Sequence, residues 1–184
     1  MKWNPLVREQ VAWIWQRTWR PRLEGLTDEQ YLWEPTPGAW SVRPRAEATT
    51  AMAAGAGDLV IDFAYPEPDP PPVTTIAWRL GHIIVGVLAM RVAGHFGGPP
   101  VDYGSHHYAP TAREALAQLD TAYAAWTAGV RDLGEAGLAE PCGPSEGPFA
   151  DEPMGTLVLH INRELLHHGA EIALLLDLHR AGSR

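Results

Sequence analysis

The stretch from Asp151 to Arg180, DEPMGTLVLHINRELLHHGAEIALLLDLHR, constrains this chain more than any other. Met154, Val158, Ile161, Leu165, Ile172 and Leu176 recur at helical spacing and predict one long helix with a dense apolar face. The same helix carries His160, Glu164, His167, His168 and Glu171. With His160 at zero, about 100° per residue sets Glu171 near 20°, Glu164 near 40° and His168 near 80°. His167 falls just across zero, and the apolar arc centres near 130°. His168, flanked by Leu157 and Leu175, is thus nearest the core side. Glu164 comes next, with His160, Glu171 and His167 toward the edge. Ionisable groups facing a core cost several kcal/mol unless compensated. Mutual hydrogen bonding or a divalent ion gives that compensation.

A helix of this kind needs partners, and three more stretches supply them. Asn4-Pro5 predicts a helix start, followed by Leu6, Val7, Val11, Ile14, Trp15 and Trp19, with Pro21 kinking or ending the run. Trp13, Trp15 and Trp19 read as core and edge packing. A second helix is expected from Thr74 or Thr75 to about Phe96 and is apolar nearly all round, so it should be buried. His82 lies inside it, with Trp78 a turn before and Gly86 a turn after. A third follows the box Thr111-Ala112-Arg113-Glu114, with a seam at Leu116, Leu119, Tyr123, Trp126, Val130 and Leu133 and a loop from Gly134. Asp151 is the expected cap of the fourth.

Between the first two helices lies a long excursion. Thr27-Asp28-Glu29-Gln30 caps a short turn. Ala39–Arg45 and Asp58–Tyr65 read as strands of a small hairpin. Prolines 66, 68, 70, 71 and 72 make an extended linker, and His106 and His107 fall in a loop expected to be exposed. The fold class is therefore all-α: four helices with a partly extended excursion, in one domain over residues 1–184. At 184 residues such a chain can bury a core.

The formal net charge of −8 argues against non-specific nucleic-acid binding. The apolar run Ile83–Ala93 is short of the roughly 18 residues of a bilayer span and contains Arg91. The first ten residues lack the apolar centre of a signal peptide. A soluble, cytoplasmic protein is expected. Cys142 stands alone, which excludes an internal disulfide and a CxxC metal site. No base is near it in sequence.

A carboxylate and an imidazole at i and i+4 point the same way and can grip one ion. Glu164 and His168 have that spacing, and His82 is the natural third ligand. A lone histidine in an apolar helix is more often a hydrogen-bonded core residue, and a Glu–His pair is often a surface pairing. The clustering favours ligation.

The histidine of WRLGH on the second helix, the His-Glu-His-His-Gly cluster on the last, and LEGLTDEQYLWEPTPGAWSV after the first resemble the DinB/YfiT-like superfamily, over nearly the whole chain. The resemblance implies an up-down-down-up four-helix bundle, frequent dimers, and a zinc or nickel ion held by one His of helix two and two residues, usually His-x3-His, of the last. It also implies transfer of low-molecular-weight thiols such as bacillithiol or mycothiol, or mycothiol-dependent isomerisation. Here Glu164-x3-His168 stands where the relatives carry two histidines. An alternative frame selects His167, with Arg163 at the other ligand position, and would spoil the site.

The reading is a metal-dependent thiol S-transferase acting on a small electrophile, with His82, Glu164 and His168 on the metal. His160, His167 or Glu171 would support the ligands or carry protons. Trp78 and Trp40 would wall an apolar pocket, and Arg79 or Arg163 would meet a cosubstrate carboxylate. Metal-activated hydrolysis is the close variant. A non-catalytic binding or dimerising module with a buried His/Glu network is the rival.

Overall fold

Each of the four periodic stretches forms a helix in the computed structural model, which describes residues 1–182. The protein is mostly helical, with one small two-stranded antiparallel sheet. Helix α1 covers residues 3–22 as Trp3–Ile14, a wide i→i+5 stretch Trp15–Trp19 and a closing turn Arg20–Arg22. The widening lies where the ring of Pro21 would otherwise press on the Arg17 carbonyl, so the helix passes through the proline. Asn4 is not the cap expected of it. Its side-chain amide donates to the Val130 carbonyl at 2.7 Å. The backbone amides of Trp3 and Asn4 instead donate to the Glu135 carboxylate at 2.9 and 2.8 Å, a charge suited to a helix N-terminus. Trp15 and Trp19 are buried as expected, whereas Trp13 is exposed.

Helix α2, Asp28–Leu32, has its reciprocal capping box between Thr27 and Gln30. Strands β1 (Val42–Pro44) and β2 (Leu59–Ile61) are shorter than the sequence predicts, and pair Val42 with Ile61 and Pro44 with Leu59. What fixes this segment is Asp62, fully buried just beyond β2. Its carboxylate accepts from the Ser41 amide at 3.0 Å, the Arg43 guanidinium at 2.8 Å and the Thr49 amide at 3.2 Å. Backbone bonds between Trp40 and the 73–75 segment then tie the excursion to the next helix.

Helix α3 covers residues 76–95: Ile76–His82, a wide i→i+5 stretch Ile83–Ala89, and Met90–His95. Thr75 caps it by accepting from the Trp78 amide at 3.1 Å. By length and composition this helix can cross a membrane, but more than half of its most apolar window is buried inside the protein. Near its far end Arg91 and His95 both meet Glu146, at 3.2 and 2.8 Å, clasping the loop that precedes the last helix. His107 is exposed, but His106 is half-buried with a ring nitrogen 3.2 Å from Gln118 Oε1.

Helix α4, Ala112–Ala139, runs past the loop start expected at Gly134. That glycine takes φ 62° and bends the path, which then resumes. Trp126 and Val130 of its seam are buried, and Tyr123 stacks on Trp15 at 3.7 Å. Helix α5, Met154–Gly182, starts three residues after its predicted cap. Asp151 sits in the preceding turn, and the Met154 amide donates to the Glu140 carbonyl at 2.8 Å. α1 and α3 each pack against α4 and α5, and α4 packs against α5. It is the α3–α5 contact that positions the site.

Candidate metal centre

His82 ends the first segment of α3, directly before the wide turn, a deviation frequent at functional sites. On α5, the i, i+4 spacing puts Glu164 and His168 on the face packed against α3. One ligand atom each from His82, Glu164 and His168 lies within 4.8 Å of the others. His168 is buried, and the His82 and His168 rings are perpendicular with centroids 4.7 Å apart.

The distances within the cluster separate a coordination gap from a hydrogen bond. Two ligands about 2.0–2.1 Å from one tetrahedral ion stand roughly 3.3 Å apart. His168 Nε2 and Glu164 Oε2 are 3.3 Å apart. His168 Nδ1 and Glu171 Oε2 are 2.6 Å apart, too close to hold an ion between them. Nδ1–H therefore donates to Glu171, and the other oxygen of Glu171 takes Arg79 Nη2 at 3.0 Å. In the neutral ring this leaves Nε2 as an acceptor facing the carboxylate of Glu164. Two acceptors at that distance repel unless a cation stands between them, either a second proton on the ring or a metal ion. The donor set of two imidazoles and one carboxylate fits a divalent transition-metal ion.

Glu171 is lowered below its usual carboxylate range. Burial works to raise it, but the hydrogen bond from His168 and the charges of Arg79, His168 and His167 outweigh that effect. His82 is pulled down to about 3, chiefly by burial and then by His168 and Arg79, so its imidazole is neutral near pH 7. Its Nδ1 meets the Tyr103 hydroxyl at 2.7 Å. The tautomer in which Nδ1–H donates to Tyr103 leaves Nε2 free to ligate. Trp78 stacks on the other side at 5.3 Å.

Tyr103 is the residue that sequence reading passes over, because it comes from a loop twenty-one positions away. Its trace in the sequence is Gly86. A methyl group there would overlap the Tyr103 hydroxyl and reach within 3.4 Å of His82 Nδ1.

The remaining candidates form a rim. His160 Nδ1 accepts from Arg163 at 2.9 Å and lies 3.6 Å from Glu164 Oε1. His167 is exposed, with Nε2 3.6 Å from Glu171 Oε1. His167, His168 and Glu171 also fall within a common 4.8 Å, but the 2.6 Å bond already occupies two of them. Arg79 is engaged by Glu171 and lies 5.1 Å over the Trp78 ring. Arg163 is engaged by His160. Cys142 is buried, and burial and then Glu146 push its thiol up, away from a reactive thiolate. The ligand side opens on a cavity of about 230 Å³ bordered by His82, Tyr103, His160 and Glu164.

The depressed His82 sets a pH dependence for the metal-free protein. Above pH 6.5 His82 is neutral in both the folded and the unfolded chain. Below that, the unfolded chain takes up a proton that the folded one refuses down to about 3. Stability is therefore expected to fall as the pH drops through this window, with a slope of at most about 1.4 kcal/mol per pH unit. Glu171 adds in the same direction in the acid part of the range. Circular-dichroism melts of metal-free protein from pH 7 to pH 4 measure this. A flat melting temperature rules out the neutral, buried His82.

The family model described as the DinB superfamily matches residues 10–172, a span that includes His82, Glu164, His168 and Glu171. No curated protein and no solved structure matches the chain.

Proposed function

We propose, for a chain that belongs to the DinB superfamily, that His82, Glu164 and His168 hold a divalent zinc or nickel ion and that the protein transfers a low-molecular-weight thiol, of the mycothiol type, to a small electrophile. The observation that carries the metal reading is the pair of distances on one imidazole, 3.3 Å to Glu164 and 2.6 Å to Glu171. The thiol chemistry rests on the family resemblance. A bound ion would supply Lewis acidity that favours the thiolate form of the cosubstrate at neutral pH.

The chain's own groups do the rest. Glu171, steadied by Arg79, holds His168 in one tautomer, and Tyr103 orients His82. His160, on the cavity wall, would take the proton at Nδ1 as the S–H bond breaks, giving up the hydrogen bond it accepts there from Arg163. Sulfur then forms a bond to the electrophilic carbon, and the displaced electron pair leaves with a departing anion or takes up the proton from His160. His167, outside, faces the outer oxygen of Glu171 and supports that carboxylate. The same proposal takes α1, α3, α4 and α5 as the up-down-down-up bundle of one domain, in a cytoplasmic homodimer.

A second reading has its own observation. His168 between two carboxylates is also satisfied by a second ring proton, which would make the cluster a buried network in a non-catalytic module. Elemental analysis of protein purified without a histidine tag separates the two. The proposal expects about one zinc or nickel per chain, and consumption of a low-molecular-weight thiol in the presence of an electrophile. Absence of metal, together with failure to take up added zinc or nickel, overturns the metal reading. A stoichiometric ion with water rather than any thiol as the nucleophile moves the site to hydrolysis.

A further inference from the structure

His82 and Tyr103 also border a second cavity, of about 330 Å³, whose lining does not include Glu164. Its walls come from the excursion and the loop after α3 as well as from α3 itself: Trp40, Phe63, Tyr65, Trp78 and Tyr103. We infer that this cavity binds a flat, uncharged, conjugated ring compound and excludes its anionic analogues. The inference deepens the proposed function, naming the electrophile's class, but the binding itself does not depend on the metal.

Four observations carry it. First, four of the rings share one orientation, with Trp40 tilted 42° from Trp78 as an end wall. Trp78 and His82 differ by 16°, His82 and Tyr103 by 13°, and Tyr103 and Phe63 by 16°. A row of nearly parallel faces suits a planar ligand stacking in the same plane, whereas a cage for a round cation needs faces turned around it. Second, Phe63 and Tyr65 leave large aromatic surfaces open, at 40% and 78% exposure, while their backbone is anchored. The Phe63 amide donates to Thr50 Oγ1 at 2.9 Å and the Tyr65 amide meets Met52 sulfur at 3.3 Å. Third, the polar groups of the inner wall are already used. The Trp78 indole N–H donates to the Asp62 carbonyl at 2.8 Å, and the Asp62 carboxylate points away to Ser41, Arg43 and Thr49. Fourth, Glu67 stands at the rim and neither lysine nor arginine lines the cavity among the described residues. A carboxylate buried there would lack a partner and face a like charge. The volume suits a one- or two-ring compound.

The test is titration of 2-naphthol and 2-naphthoate into the protein, read by tryptophan fluorescence and by calorimetry, before and after treatment with a chelator. 2-Naphthol is expected to bind, and 2-naphthoate at least roughly tenfold more weakly. Phe63→Ala, a substitution at an exposed position, is expected to weaken 2-naphthol roughly fivefold. Glu67→Lys should strengthen 2-naphthoate and leave 2-naphthol nearly unchanged. Circular dichroism checks that both variants fold. Equal binding of the two probes, no binding of either, or binding indifferent to Phe63→Ala overturns the inference. Chelator treatment should leave 2-naphthol binding intact. Binding that persists in protein unable to hold a metal would leave this inference standing while the metal reading falls.

Discussion

His168→Ala should abolish stoichiometric metal binding, with a loss in affinity of more than about 100-fold, and His82→Ala should do the same. Both remove a neutral nitrogen donor from a set of three. Glu171→Gln tests a finer point. It leaves all three donors in place but replaces the carboxylate that fixes the His168 tautomer through the 2.6 Å bond. Loss of such a partner typically costs 10–100-fold in metal affinity, and that intermediate result is expected. His167→Ala is the internal control, since its ring is exposed and outside the 3.3 Å gap. Calorimetric titration of zinc into the metal-free variants reads all four. Retention of full affinity by His168→Ala, or its loss in His167→Ala, sinks the assignment and revives the alternative frame on α5.

Asp62→Ala is expected to have the largest effect on stability, about 3–5 kcal/mol, because it breaks a buried charge pair from one side. The Asp62 carboxylate is fully buried and the Arg43 side chain largely so. Removing the acid leaves Arg43 with the Ala39 carbonyl and a partly exposed Glu34, and leaves the Ser41 and Thr49 amides without their acceptor. In a chain of this length such a loss lowers the melting temperature by roughly 10 °C. Asp62→Asn should be milder, since the amide oxygen still accepts from one or more of these donors. Thermal melts and urea titrations of the two variants decide. A change below about 1 kcal/mol in Asp62→Ala would mean that the excursion is not held through this carboxylate.

The contrast between these two positions shows what a sequence exposes and what it hides. The helices were legible because burial on one face repeats every three or four residues, as Leu116 to Val130 do on α4. Periodicity also separated neighbours as alike as His167 and His168: one position of rotation leaves the first exposed and buries the second. Asp62 had no such signature. A buried acid in a β-rich run looks like a surface residue until its three donors are seen converging on it. Tyr103 was hidden because loop residues carry no period, and only the glycine it passes marked its place. Helix ends were misread where a distant group replaced the local cap. Glu135 serves the α1 terminus in place of Asn4, and the Glu140 carbonyl serves α5 in place of Asp151.

The wide turn of α3 has a consequence for how the two ends of that helix are tied together. A turn closed i→i+5 holds one residue more than a turn closed i→i+4, and each residue is worth about 100° of rotation. His82 lies before the 83–89 stretch, and the Arg91–His95 clasp on Glu146 lies after it. Residue number in that stretch therefore acts as a phase setting between the clasp and the candidate ligand. An insertion or deletion of one residue there would turn His82 away from α5 even if every side chain in the cluster were kept.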